Sequence, residues 1–233
     1  MIGTPSAGTP LWVPVVAGLA GIVVGRLLGV RLQSRGYRLD EEAHLPSRLP
    51  GWPVAAVLGP LWACLAWRFG PDADWALAPA LLCFATVAVA LAWIDLDVHR
   101  LPEGLTLPSF PILLAQLALA AWASGDWSVL VRSVACAALL GALAMVLALL
   151  AAALRSGFGL GDVVLCALIG LVTGAVGWWR PVVALYAAFL LGGVHALVHV
   201  LVRRRSSRDA VPFGPFLVAG GMLALFVDVP LLP

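Results

Sequence analysis

The residues of this chain best suited to chemistry are two aspartates, each placed where a polar island meets an apolar run. Asp162 closes the glycine-rich stretch Gly157-Phe158-Gly159-Leu160-Gly161-Asp162, and Asp95 lies within Trp93-Ile94-Asp95-Leu96-Asp97-Val98-His99-Arg100-Leu101-Pro102. Where such runs cross a bilayer, a carboxylate at their edge is costly to desolvate and reads as a functional site. Taken alone, Asp162 has a plainer reading, as a solvated cap at the end of a glycine-loosened loop. The pair changes this. Two carboxylates at a partly dry site cannot both ionise easily, so one keeps a proton while the other serves as a base. Aspartic proteolysis has that requirement: the ionised member takes a proton from water and the protonated member polarises the peptide carbonyl. The glycines flanking Leu160 let the backbone pass close to an extended substrate, and let a turn, in place of a regular helix, aim Asp162. On a helix Asp95 and Asp97 stand roughly 200° apart, so only one of them faces Asp162 unless the helix has already ended.

The elements that position these residues are membrane helices. Of 233 residues, 62% are hydrophobic and 11% charged, against about 25% charged in a soluble domain. On the criterion of about 20 mainly apolar residues per crossing, eight spans are expected: Leu11 to Val30, Pro53 to Trp67, Trp75 to Ile94, Leu105 to Ala123, Val129 to Leu154, Val163 to Trp178, Pro181 to Val202 and Phe213 to Leu225. The last is interrupted by Gly220-Gly221 and could be partly re-entrant. The fold class is an all-α polytopic membrane bundle forming one domain over residues 1–233, with its motifs within 93–220. No basic n-region precedes Leu11, so the first run is expected to remain as a span. Gly21-x-x-x-Gly25-x-x-x-Gly29 and Gly170-x-x-x-Gly174 are spacings that let helix backbones approach closely.

Charge orients this bundle, because arginines in short loops lie on the cytoplasmic side. With the N-terminus outside, the inner loops hold Arg31, Arg35, Arg38, Arg48, Arg100, Arg155, Arg203, Arg204, Arg205 and Arg208, while the outer loops hold Arg68, Arg132 and Arg180. Arg26 snorkels from the first span to the inner face. Both termini are then outside, and Asp95 and Asp162 reach the same cytoplasmic depth. The net charge of +2, without a basic patch interleaved with aromatics, excludes nucleic acid as a partner. Cys64, Cys83, Cys136 and Cys166 are isolated and read as small buried hydrophobes. His195 and His199 share a helix face, but two ligands are too few for a metal. The Arg203 to Arg208 cluster reads as a topology determinant and anionic-lipid contact. His99 and Arg100 are open to two readings, as neighbours that tune Asp95 or meet substrate, or as a solvated loop.

Asp95 followed by Leu101-Pro102, then Gly159-Leu160-Gly161-Asp162-Val163, then Val211-Pro212-Phe213-Gly214-Pro215-Phe216 resembles the type IV prepilin peptidase family of membrane aspartic proteases over roughly Trp93 to Gly220. The resemblance implies a catalytic pair of Asp95 and Asp162, with Gly159, Gly161, Asp97, Pro102, Glu103, Pro212 and Gly214 in binding or supporting roles. It also implies cleavage of short basic leaders from prepilins or pseudopilins at the cytoplasmic face of a bacterial inner membrane. Three departures stand out. The zinc-binding insertion of two C-x-x-C pairs that many members have in the first inner loop is missing, since Arg31 to Trp52 has no Cys and only His44 as a ligand type. Val164 stands where Lys is frequent, and Glu103 where Asp is frequent. A peptidase with no metal or other cofactor and no methyltransferase activity is therefore expected. The rival class is a small transporter using Asp95 and Asp162 as proton- or cation-coupling groups. Acids at one face and the lack of an inverted repeat weigh against it.

Overall fold

A computed structural model describes residues 9–42, 49–70, 75–153, 159–203 and 212–227. His44, Arg48, Arg155, Gly157, Phe158, Arg204, Arg205, Arg208 and Val211 lie outside the described residues, as do the side chains of His199 and Arg203.

Eight α-helices occur among the described residues: α1 (Trp12–Gln33), α2 (Trp52–Arg68), α3 (Ala78–Val98), α4 (Glu103–Ser124), α5 (Ser128–Ala153), α6 (Leu160–Val176), α7 (Arg180–Arg203) and α8 (Gly214–Phe226). The fold is an all-α polytopic bundle, and five of its stretches are long and apolar enough to cross a membrane: Trp12–Gln33, Trp75–Val98, Glu103–Ser124, Ser128–Ala153 and Arg180–Val198. α2 and α6 have 17 residues each and α8 only 13. At 1.5 Å per residue α8 is about 20 Å long, short of a hydrocarbon core of about 30 Å. Gly220-Gly221 does not interrupt α8 as expected. The helix runs through because both glycines are contact points: a Cβ on Gly220 would strike the Ala184 carbonyl of α7, and one on Gly221 would lie 3.2 Å from Ile169 of α6.

Small residues assemble the bundle in antiparallel pairs. Along α1, a Cβ on Gly21 would come within 2.9 Å of the Leu58 carbonyl, one on Gly25 within 2.6 Å of the Ala55 Cα, and one on Gly29 would overlap the Gly51 carbonyl. Glycine spacing thus brings α1 and α2 into backbone contact over three turns. Gly170 and Gly174 of α6 do the same against Cys136 of α5: a Cβ on Gly170 would come within 2.5 Å of its carbonyl and one on Gly174 within 2.5 Å of its Cβ. Cys136 and Cys166 are buried as expected, whereas Cys64 faces outward from α2, since a helix with one packed stripe exposes its other side.

α3 and α6 form the centre. Leu81, Phe84, Leu91 and Ile94 of α3 and Leu165, Leu168 and Ile169 of α6 are fully buried, as are Leu113 and Leu117 of α4. At the end of the bundle away from the aspartates, two arginines close helix C-termini. Arg132 donates to the Gly174 and Ala175 carbonyls at 2.6 and 2.5 Å, and Arg180 to Ala224 and Val227 at 2.7 and 2.5 Å. The last carbonyls of α6 and α8 have no intrahelical partners, and a cation there also meets the negative end of the helix dipole. Arg68 lies over the Phe69 ring at 5.1 Å. The three arginines assigned to the outer side are thus engaged in local contacts.

Replacing Gly25 by Val should lower the thermal midpoint of detergent-solubilised protein by several degrees, because overpacking of this kind costs about 1–3 kcal/mol. Gly193→Ala on α7, where a Cβ meets nothing within 4 Å, should leave it unchanged or slightly raised. Scanning calorimetry or dye-monitored melting of the two variants tests the contrast.

Candidate active site

Asp95 sits in the last turn of α3, a helix that runs four residues past its expected end at Ile94. His99, in the left-handed region at φ 54°, stops it by donating its amide to the Asp95 carbonyl at 2.9 Å. His99 to Pro102 then turn the chain into α4, whose first residue is Glu103. Asp162 lies inside the first turn of α6. It is not aimed by a loop, as expected, but by a helix that starts three residues early at Leu160. Its carboxylate folds back to accept the Gly159 amide at 3.0 Å, satisfying an amide that the helix start leaves unpaired. An acidic side chain there also faces the positive end of the helix dipole.

The two carboxylates line one cleft of about 670 Å3, within electrostatic range of each other. Both are largely withdrawn from solvent, Asp95 to 5% exposure and Asp162 to 9%. Asp95 Oδ2 accepts the Gly214 amide at 2.9 Å, so the start of α8 holds it. Each carboxylate therefore keeps one oxygen on a main-chain amide. A Cβ on Gly214 would lie 2.6 Å from Asp95 Oδ2, and one on Gly161 would lie 3.0 Å from Leu101. Those two glycines permit close approach. Gly159 is extended and a Cβ there would meet nothing within 4 Å.

Of the residues expected to support the pair, Pro102, Glu103, Gly159, Gly161 and Pro212 line the cleft, and Gly214 sits beneath Asp95. Asp97 does not line it. It points to the loop after α1, where Oδ2 accepts from the Tyr37 hydroxyl at 2.6 Å and from Arg38 Nε and Nη2 at 3.0 and 2.7 Å. The hydrogen bonds that Arg38 donates to Asp97 hold its guanidinium above its ordinary pKa, and burial followed by Asp97 pushes the Tyr37 phenol up to about 12. Arg100 pairs with Glu42 through two contacts of 3.0 Å, which hold that carboxyl below its ordinary range.

Sequence reasoning missed Gly36 and Tyr37, which close one side of the cleft from a loop some sixty residues before Asp95. No local signal marks them. His99 and Arg100, left between two readings, both line the cleft. His195 packs its ring 5.2 Å from Phe216. Among the described residues no group of three or more His, Cys, Asp or Glu is arranged to hold a metal ion.

The profile of the type IV leader peptidase family matches residues 82–197, which include both aspartates and most of the residues that line the cleft. A prepilin leader peptidase/N-methyltransferase of Aeromonas hydrophila is 30% identical over 218 residues, covering 91% of this chain and 68% of that protein. The chain belongs to the type IV leader peptidase family. Proteins of the same name from Burkholderia pseudomallei (strain 1026b) and Bacillus subtilis (strain 168) are 38% and 31% identical over 170 and 169 residues, each covering 70% of this chain. The chain spans about half the length of the Burkholderia relative and 60% of the Bacillus one. No solved structure matches the chain significantly.

Gly214→Ala should displace the Asp95 carboxylate, because a Cβ there would lie 2.6 Å from Oδ2, and lower the thermal midpoint of the solubilised protein by several degrees, whereas Gly159→Ala, whose Cβ meets nothing within 4 Å, should leave it nearly unchanged. Dye-monitored melting of the two purified variants checks the order.

Proposed function

We propose that this protein is an aspartic endopeptidase that removes short basic leader peptides from prepilins or pseudopilins, with Asp95 and Asp162 as the catalytic pair. The observation that carries the reading is that the end of α3 and the start of α6 bring two buried carboxylates to one cleft at the same end of the bundle. In the proposed reaction, the ionised member of the pair takes a proton from water as the water oxygen bonds to the scissile carbonyl carbon. The protonated member gives its proton to the carbonyl oxygen. As the C–N bond breaks, the leaving amine takes the proton held by the first carboxyl, and the second recovers its own from the collapsing diol. Fixed main-chain donors at Gly214 and Gly159 keep both carboxylates oriented without reorganisation.

Membership of the family supports the peptidase reading, and the placement of both acids at helix ends weighs against a transporter, whose sites lie near the midplane. The arginine distribution supports a bacterial inner-membrane protein with both termini outside and the cleft on the cytoplasmic side. A single Cys in the Arg100 loop, in a background without the four natural Cys, should resist an impermeant thiol reagent added to intact cells. Ready labelling would reverse the orientation.

The first inner loop, about twenty residues with no Cys, offers too few ligands for the four-coordinate structural zinc of the usual insertion. We therefore read the protein as a peptidase without methyltransferase activity. Wild-type protein, given a prepilin and S-adenosylmethionine, should release a product whose new N-terminus is unmethylated by mass spectrometry. Asp95→Asn and Asp162→Asn should insert normally and cut at least a thousandfold more slowly, as expected when one member of a catalytic unit is lost. Asp97→Asn should keep measurable activity. A dead Asp97→Asn beside an active Asp95→Asn would put the pair on the wrong carboxylate.

A further inference from the structure

The loop between α1 and α2 is tied to the end of α3 at two places. Asp97 holds the Tyr37 hydroxyl and the Arg38 guanidinium, and the Arg38 and Asp97 side chains are only 3% and 2% exposed. Three residues on, in the link just past α3, Arg100 pairs with Glu42 and donates to the Tyr37 carbonyl at 3.0 Å. Tyr37 is thus gripped at its hydroxyl and at its main chain. Just before both grips the chain turns at Arg35, in the left-handed region at φ 59°, and presents Gly36 and Tyr37 to the cleft that contains Asp95 and Asp162.

A buried ion pair is costly to desolvate and needs good geometry to recover that cost. Asp97 Oδ1 is buried without a hydrogen-bond partner, although its sister oxygen carries three donors. Such a group makes a poor simple stabiliser. It fixes, however, where Tyr37, an aromatic wall residue contributed by this loop, stands relative to the carboxylates. Asp95 and Asp97 thereby divide the work of one helix end: one faces the cleft, the other holds the segment that closes it.

We propose that the segment Gly36–Glu42 is a wall of the substrate site, against which the peptide beside the scissile bond lies, and that Asp97 is the positioning residue that keeps Tyr37 in that wall. The inference rests on the peptidase reading, and the wall accounts for how a chain with a short first inner loop encloses its substrate. Loss of the grip weakens substrate binding and leaves the bond-breaking step intact, because the reacting carboxylates are held by other donors.

The test uses the full chain in nanodiscs, with steady-state kinetics on a prepilin peptide and hydrogen exchange read by mass spectrometry over residues 34–42. Asp97→Asn should raise KM about tenfold and change kcat less than about threefold, the pattern of lost uniform binding. Asp97→Glu should recover part of the loss, and exchange over 36–42 should quicken only in Asn. Tyr37→Phe, which removes a single hydroxyl and leaves the ion pair, should raise KM by about threefold and guards against a misfolded Asn variant. An unchanged KM in both variants, or equal falls in kcat and kcat/KM, overturns the proposal. A wild-type protein that leaves the peptide uncut sinks the peptidase reading. Exchange then judges the wall alone: protection lost in Asp97→Asn upholds it, and protection retained overturns it.

Discussion

The constraint on which the rest of this structure depends is the cost of withdrawing two carboxylates from water at the edge of an apolar bundle. Each needs a donor that does not bring a neutralising cation with it, since a paired arginine would hold the acid permanently ionised. The main chain supplies that donor at both sites. Helix starts have unpaired amides, and the structure uses two of them: Gly214 at the head of α8 for Asp95 and Gly159 at the head of α6 for Asp162. The arginines near the cleft are meanwhile bound elsewhere, Arg38 to Asp97 and Arg100 to Glu42.

Close backbone approach is what allows this arrangement. α6 reaches the α3–α4 link only because Gly161 leaves room for Leu101, and α8 reaches Asp95 only because Gly214 has no side chain. The same device recurs along α1 against α2 and along α6 against α5. With little hydrophobic driving force between helices in lipid, such contacts carry much of the association. The buried faces of α3 and α6, which contain the aspartates, are thus held by helices whose own glycines set the spacing.

The loop between α1 and α2 closes one side of the cleft. The relatives from Burkholderia and Aeromonas are longer, this chain covering 50% and 68% of them. Here the segment that follows α1 is fastened by two ion pairs, Arg38 to Asp97 of α3 and Glu42 to Arg100 just beyond it, and Tyr37 stands in the cleft wall. Asp97, given a supporting role beside Asp95 from sequence, has its carboxylate turned to that loop. Two residues of separation on a continuous helix turn the side chains about 200° apart, and that rotation separates their roles.

Hydropathy alone established a polytopic helix bundle, since no other fold satisfies backbone polar groups across so many apolar runs. Helix ends came out within a few residues because Arg, Pro and Gly punctuate them, and the α1 and α6 contact faces were legible as glycine spacings. The cleft residues that lie near the two aspartates in sequence were legible too, through the ordered motifs. What only the tertiary structure decided was everything that joins distant segments: the Gly214 amide on Asp95 across 119 residues, the Tyr37 and Arg38 grip on Asp97 across about sixty, and the closure of α6 and α8 by Arg132 and Arg180. For Asp162 local sequence offered both a turn and a cap on the next helix, and the structure has the cap, the side chain accepting the Gly159 amide at the start of α6. Periodicity and propensity report on neighbours along the chain, whereas partners across the bundle are chosen by which unpaired donors and which small residues the packed helices bring face to face.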